Sequence, residues 1–116
     1  KAKGRDDDSR AKVLAEARAM DEGGAFAIVV EGVAEDLARE VTQMVSVPTI
    51  GIGASSACDG QVLVTEDMLG MFDRVPRFVK KFDDLATNIS KAVETYAADV
   101  RSRSFPEEAQ TYQPKK

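Results

Sequence analysis

Residues 25–30, Ala25-Phe26-Ala27-Ile28-Val29-Val30, form a continuous apolar run rich in β-branched side chains that ends abruptly at the carboxylate of Glu31. A half-buried strand alternates apolar and polar positions, whereas an unbroken run of this length reads as a parallel strand covered on both faces. Parallel strands need crossover connections, usually helical, and helical periodicity flanks this run on both sides. Upstream, Asp6-Asp7-Asp8-Ser9 supplies capping groups and negative charge to a helix running to about residue 21. Val13, Leu14, Ala17 and Met20 share one face of it, and Gly23-Gly24 stops it. An acidic triplet can also bind metal, but capping is the simpler use of it here.

Downstream, a second helix is predicted over about residues 34 to 45, burying Leu37, Val41 and Met44 and wetting Glu35, Asp36, Arg39 and Glu40. Thr49-Ile50-Gly51-Ile52-Gly53 reads as the next strand and Gln61-Val62-Leu63-Val64-Thr65 as a third. The link between them is about seven residues, shorter than a helical crossover but long enough, when extended, to span a short strand. A parallel pair is therefore expected, with an antiparallel hairpin as the alternative. Residues 68 to 76 read as a loop. A long final helix follows, whose apolar set Phe82, Leu85, Ile89, Val93, Tyr96 and Val100 is expected to pack as one stripe, and Ser104-Phe105-Pro106 ends it.

The alternation places the chain in the α/β class with a parallel sheet. Three strands cannot close such a sheet, so further strands are expected from an N-terminal part or another chain. The start at Lys1, without a methionine, fits a fragment.

Composition narrows the function. The 116 residues contain no histidine and one cysteine, Cys58, which excludes internal disulfides, the common zinc sets and histidine bases within this chain. A net charge of −4 argues against a nucleic-acid surface, and no apolar run approaches a membrane span, so a cytoplasmic location is expected.

Glu31 is the leading candidate for chemistry. In parallel α/β folds and barrels the C-terminal strand ends face the ligand site, and a carboxylate partly desolvated there is a better base near neutral pH. The bland alternative is a carboxylate that bonds neighbouring loop amides. Gly51-Ile52-Gly53-Ala54-Ser55-Ser56 is only a partial dinucleotide fingerprint; Gly51 and Gly53 could line a site or simply serve a tight turn. Glu66 and Asp67 are second-rank candidates. Cys58 has no adjoining base and reads as a packed side chain.

Three segments, Phe26-Ala27-Ile28-Val29-Val30-Glu31-Gly32-Val33, Val47-Pro48-Thr49-Ile50-Gly51-Ile52-Gly53-Ala54 and Cys58-Asp59-Gly60-Gln61-Val62-Leu63-Val64, together resemble the ketopantoate hydroxymethyltransferases. Arg77-Phe78-Val79-Lys80-Lys81-Phe82 and Ser104-Phe105-Pro106 extend the resemblance over nearly the whole chain from about Gly4. It implies a (β/α)8 TIM barrel, with residues 1–105 supplying the C-terminal part (strands six to eight and the last helices) and 106–116 a tail. It implies that Glu31 accepts the proton from C3 of 3-methyl-2-oxobutanoate. The resulting enolate would be stabilised by magnesium and attack 5,10-methylenetetrahydrofolate to give 2-dehydropantoate. The family's metal ligands lie in its N-terminal part, so no metal ligand is expected in this chain. A homo-oligomer, usually a decamer of pentameric rings, is implied too. Ala34 stands where the family usually has proline, Ser55-Ser56 where it has Gly-Pro, and residues 107–112 lack its usual histidine. A carbon–carbon lyase or mutase of the phosphoenolpyruvate mutase and isocitrate lyase type, and a non-catalytic α/β assembly module, are the alternatives.

Overall fold

A computed structural model describes residues 1–116. It contains α1 (Asp7–Glu22), β1 (Ile28–Glu31), α2 (Glu35–Met44), β2 (Thr49–Ile52), β3 (Gly60–Gln61), α3 (Thr65–Met68) and α4 (Leu85–Ser102), then a short 3-10 turn, Glu108–Gln110. The chain divides into two compact units, one of Lys1–Val64 with Pro76–Lys80 and one of Thr65–Val75 with Lys81–Lys116.

The first unit is built on a three-stranded sheet of order β1-β2-β3 in which both pairings are parallel. The short link between β2 and β3 is thus a parallel connection and not a hairpin. It stays compact because it turns tightly, the Cys58 amide donating to the Ser55 carbonyl at 3.2 Å.

α1 begins where Asp6 accepts the Ser9 amide at 2.9 Å, so the first aspartate of the triplet caps the helix and the other two lie in its first turn. The core holds Ala17 of α1, Ile28 and Val30 of β1, Leu37, Ala38 and Val41 of α2, and Val33, Val45 and Cys58 from the connections. Leu37, Val41 and Thr49 are the largest side chains sealed almost completely from water. Polar ties brace this layer: Arg10 of α1 reaches Asp36 at 2.9 Å and Glu40 at 3.0 Å on α2. The Asp21 carboxylate accepts the Ser46 hydroxyl at 2.6 Å and the Ser46 amide at 2.8 Å.

Two-sided burial of the strands is not what the first unit shows. Ile28 and Val30 are buried, but Val29 is 62 % exposed and Phe26 91 % exposed. Paired residues of neighbouring strands share a face, and α1 and α2 supply core side chains to one face only. Val29 and Glu31, with their partners Ile50 and Ile52, occupy the other face, which no element of this unit covers.

The third strand is also shorter than its apolar pattern predicts. Only Gly60 and Gln61 pair with β2, and Val62 adds one bond, its amide donating to the Gly51 carbonyl at 3.0 Å. β2 itself ends at Ile52, so residues 63 and 64 have no ladder left to join, and α3 begins at Thr65.

In the second unit α3 turns back through Gly70, and the Phe82 amide donates to the Met68 carbonyl at 2.7 Å, which holds Phe82 outside the final helix. α4 ends at Arg103, the one non-glycine residue in the left-handed region. Its expected stripe is not buried: Ile89, Val93, Tyr96 and Val100 all remain about half exposed or more. Tyr96 does meet one partner, Phe105, edge to face with ring centres 5.6 Å apart. No helix of the chain is long and apolar enough to cross a membrane.

Candidate functional site

Glu31 is the last residue of β1, at its C-terminal end, opposite Ile52 in the β2 register. Its side chain is exposed, and no hydrogen bond or ion pair engages its carboxylate. The alternative of a carboxylate consumed by loop amides is therefore not realised, and neither is desolvation by the residues of this unit.

The backbone that carries Glu31 is held firmly from both sides. The Gly32 amide donates to the Ile52 carbonyl at 2.9 Å and the Val33 amide to the Gly53 carbonyl at 3.2 Å. On the other side Lys3 forms a parallel bridge with Val33: its amide donates to the Gly32 carbonyl at 2.7 Å, and its carbonyl accepts the Ala34 amide at 2.9 Å. Gly32 turns at φ +59, a conformation that glycine adopts without strain. A free carboxylate on a fixed backbone is suited to proton transfer, because only side-chain torsions remain to be set when a substrate arrives.

The two glycines proposed as lining residues occupy different places. Gly51 pairs with Val30 and is buried on the helix-covered face; a Cβ there would meet Gln61 Oε1 at 3.0 Å and Cys58 Sγ at 3.1 Å. It is not on the face of Glu31. Gly53 lies just beyond the end of β2, at φ +61, bonded to the turn after Glu31. A Cβ on it would stand 2.7 Å from the ring of Phe78, which packs against this glycine. Phe78 was legible only as part of a motif; nothing in its spacing pointed to Gly53.

Cys58 is buried beside Thr42, whose hydroxyl lies 3.7 Å from Sγ, in keeping with a packed side chain. Glu66 and Asp67, candidates if they ended the third strand and otherwise a solvated helix start, fall in the first turn of α3 in the second unit, the second of these readings. No group of three or more His, Cys, Asp or Glu side chains in the chain could hold a metal ion.

Two further residues, missed as a pair by the sequence, meet at the loop after β2. The Ser55 hydroxyl donates to Glu35 Oε1 at 2.7 Å, and Arg39 donates to the same oxygen at 2.7 Å. These bonds, Ser55 first and Arg39 second, hold the Glu35 carboxyl below its ordinary value.

Comparison with known proteins identifies the family. The model of a family described as ketopantoate hydroxymethyltransferase matches residues 1–108. A 3-methyl-2-oxobutanoate hydroxymethyltransferase of Caulobacter vibrioides is 67 % identical over 116 residues, covering 100 % of this chain and 42 % of that protein. The enzyme of the same name from Erythrobacter litoralis is 60 % identical over 114 residues, 98 % of this chain and 39 % of its own length. That of Rhizobium rhizogenes is 56 % identical over 117 residues, 100 % of this chain and 43 % of its own. The chain thus spans about two fifths of the length of these curated relatives. By this match and these relatives, the chain belongs to the ketopantoate hydroxymethyltransferase family.

Proposed function

We propose that this chain is the C-terminal part of a 3-methyl-2-oxobutanoate hydroxymethyltransferase and carries the base of its reaction, Glu31. The observation that carries the reading is a free carboxylate on a fixed backbone, at the C-terminal end of a parallel strand, on the sheet face that the helices leave open. In a (β/α)8 barrel, strand ends of this kind converge on the active site, and strands from the N-terminal part would extend this sheet.

The Glu31 carboxylate would take the proton from C3 of the keto acid. The carbanion, delocalised as an enolate, would form a carbon–carbon bond to the methylene carbon of 5,10-methylenetetrahydrofolate. The C–N bonds of that carbon are given up to tetrahydrofolate, and water supplies the hydroxyl of 2-dehydropantoate. Gly53, next to the turn after Glu31, stands at the margin of that site.

Magnesium, implied by the family, does not fit the residues of this chain: no group of three or more His, Cys, Asp or Glu side chains, at Glu31 or elsewhere, could hold a metal ion. Its ligands belong to the proposed N-terminal part. A cytoplasmic homo-oligomer, a decamer by family resemblance, completes the proposal, and the exposed apolar stripe on α4 is available to such contacts. The test is incubation of the complete protein with 3-methyl-2-oxobutanoate, 5,10-methylenetetrahydrofolate and magnesium. Formation of 2-dehydropantoate is expected; consumption of the keto acid without folate, or no reaction, would overturn the reading.

A further inference from the structure

The connection between β2 and β3 converges on one residue. Ser55, only 4 % exposed, uses its hydroxyl twice: it donates to Glu35 Oε1 at 2.7 Å and accepts the Ala57 amide at 3.0 Å. Its carbonyl accepts the Cys58 amide at 3.2 Å and Gln61 Nε2 at 2.7 Å. The loop is thus organised around Ser55, and Ser55 is tied to the first residue of α2, the helix that follows Glu31. Arg39, one turn along α2, donates to the same Glu35 oxygen at 2.7 Å and helps hold the acceptor in place.

Ser55-Ser56 carries no proline to fix the backbone of this turn, and the bond to Glu35 supplies a restraint between the two loops. The restraint bears on Glu31, because Gly53, two residues before Ser55, accepts the Val33 amide, two residues after Glu31. Glu35, two residues beyond Val33, closes the circuit. Two bridges, Gly53 to Val33 and Ser55 to Glu35, therefore lock the loop after β2 to the loop after β1.

We propose that Ser55 and Glu35 form a clasp between these two loops, a pair of positioning residues that sets the orientation of Glu31 for proton abstraction. The clasp rests on the reaction proposed above, but its geometry can be tested separately. Neither residue touches the substrate; both act through the backbone that carries Glu31. Loss of the clasp should lower turnover more than it weakens keto acid binding, because a misplaced base slows the proton transfer while leaving the binding groups intact.

The test is a double-mutant cycle in the complete protein with Ser55→Ala, Glu35→Ala and the pair together, and with Glu35→Gln as the conservative variant. Amide hydrogen exchange at Ala57 and Cys58 and the steady-state constants are read on each. The clasp requires faster exchange at both amides in either alanine variant, a fall of about tenfold in kcat with KM changed far less, no additional loss in the double variant, and substantial recovery in Glu35→Gln, whose amide oxygen still accepts from Ser55. Glu35 is exposed, so its variants should fold even if Ser55→Ala does not. Multiplying losses in the double variant, unchanged exchange in Glu35→Ala, or a lowered Tm with kcat intact would each overturn the proposal. A wild-type protein without transfer activity would sink the reaction and the catalytic role together. The exchange cycle would still report whether the clasp itself exists, so the two failures are distinguishable.

Discussion

The carbonyl of Gly53 accepts the amide of Val33 at 3.2 Å, so the turn that ends β2 and the turn that follows Glu31 are bonded to each other. Whatever disturbs one disturbs the other, and the backbone of the candidate base is only as rigid as its neighbour.

Gly53→Ala is expected to be costly for two reasons. The residue sits at φ +61, and a Cβ would press into the Phe78 ring at 2.7 Å. The left-handed conformation alone costs a non-glycine residue about 1–3 kcal/mol, so a loss of about 2 kcal/mol in unfolding free energy is expected from denaturant titration. Removing the ring in a Gly53→Ala, Phe78→Ala double variant should return the steric part of the loss but not the conformational part. Full additivity of the two substitutions would show that the ring contact does not matter.

Leu37→Ala should destabilise the first unit by about 3 kcal/mol, because the side chain is sealed at 0 % exposure and its loss leaves a cavity in the core. Calorimetry or urea unfolding reads this directly. A change below about 1 kcal/mol would mean that the core is looser than described.

Acid should weaken the fold through two carboxylates. Asp21 is held below its ordinary value of 3.8 by the Ser46 hydroxyl and then the Ser46 amide, and Glu35 below its ordinary 4.5 by Ser55 and then Arg39, with desolvation and, less, Asp36 opposing. A group whose folded value is lowered contributes stability above its unfolded value and loses it as pH falls through the folded one. The loss should therefore start near pH 4.5 for Glu35 and near 3.8 for Asp21, and continue below. Tm measured against pH in Asp21→Asn should fall less steeply below pH 4 than in the wild type. Parallel curves would remove Asp21 from the account.

Much of this was readable in the residues themselves. The helices ended within a few residues of expectation because their stops are local: Asp6 caps α1, the Gly23-Gly24 pair closes it, and Ser104 lies two residues past α4. The parallel pairing of β3 and the position of Glu31 at a strand end also followed from local pattern. Burial did not. Residues 25–30 are apolar enough for a strand covered twice, yet only one cover is present in the first unit, so Val29 is open. β3 is short for a different reason, the end of β2 at Ile52, which its own residues do not reveal. At the site, the bond between Ser55 and Glu35 joins residues 20 apart, and neither serine nor glutamate at those positions announces a partner. Phe78 and Gly53 are joined in the same way, by the fold and not by spacing.

The central claim is that Glu31 is the base, and the most direct measurement is exchange of the C3 proton of 3-methyl-2-oxobutanoate, followed by NMR in deuterated water with the complete protein and its Glu31→Gln variant. The carboxylate is exposed and engages nothing, so the variant should fold with an unchanged Tm. Its C3 exchange and its hydroxymethyl transfer should both drop by at least about 100-fold, the usual contribution of a general base. Exchange and transfer near the wild-type rates would contradict the account.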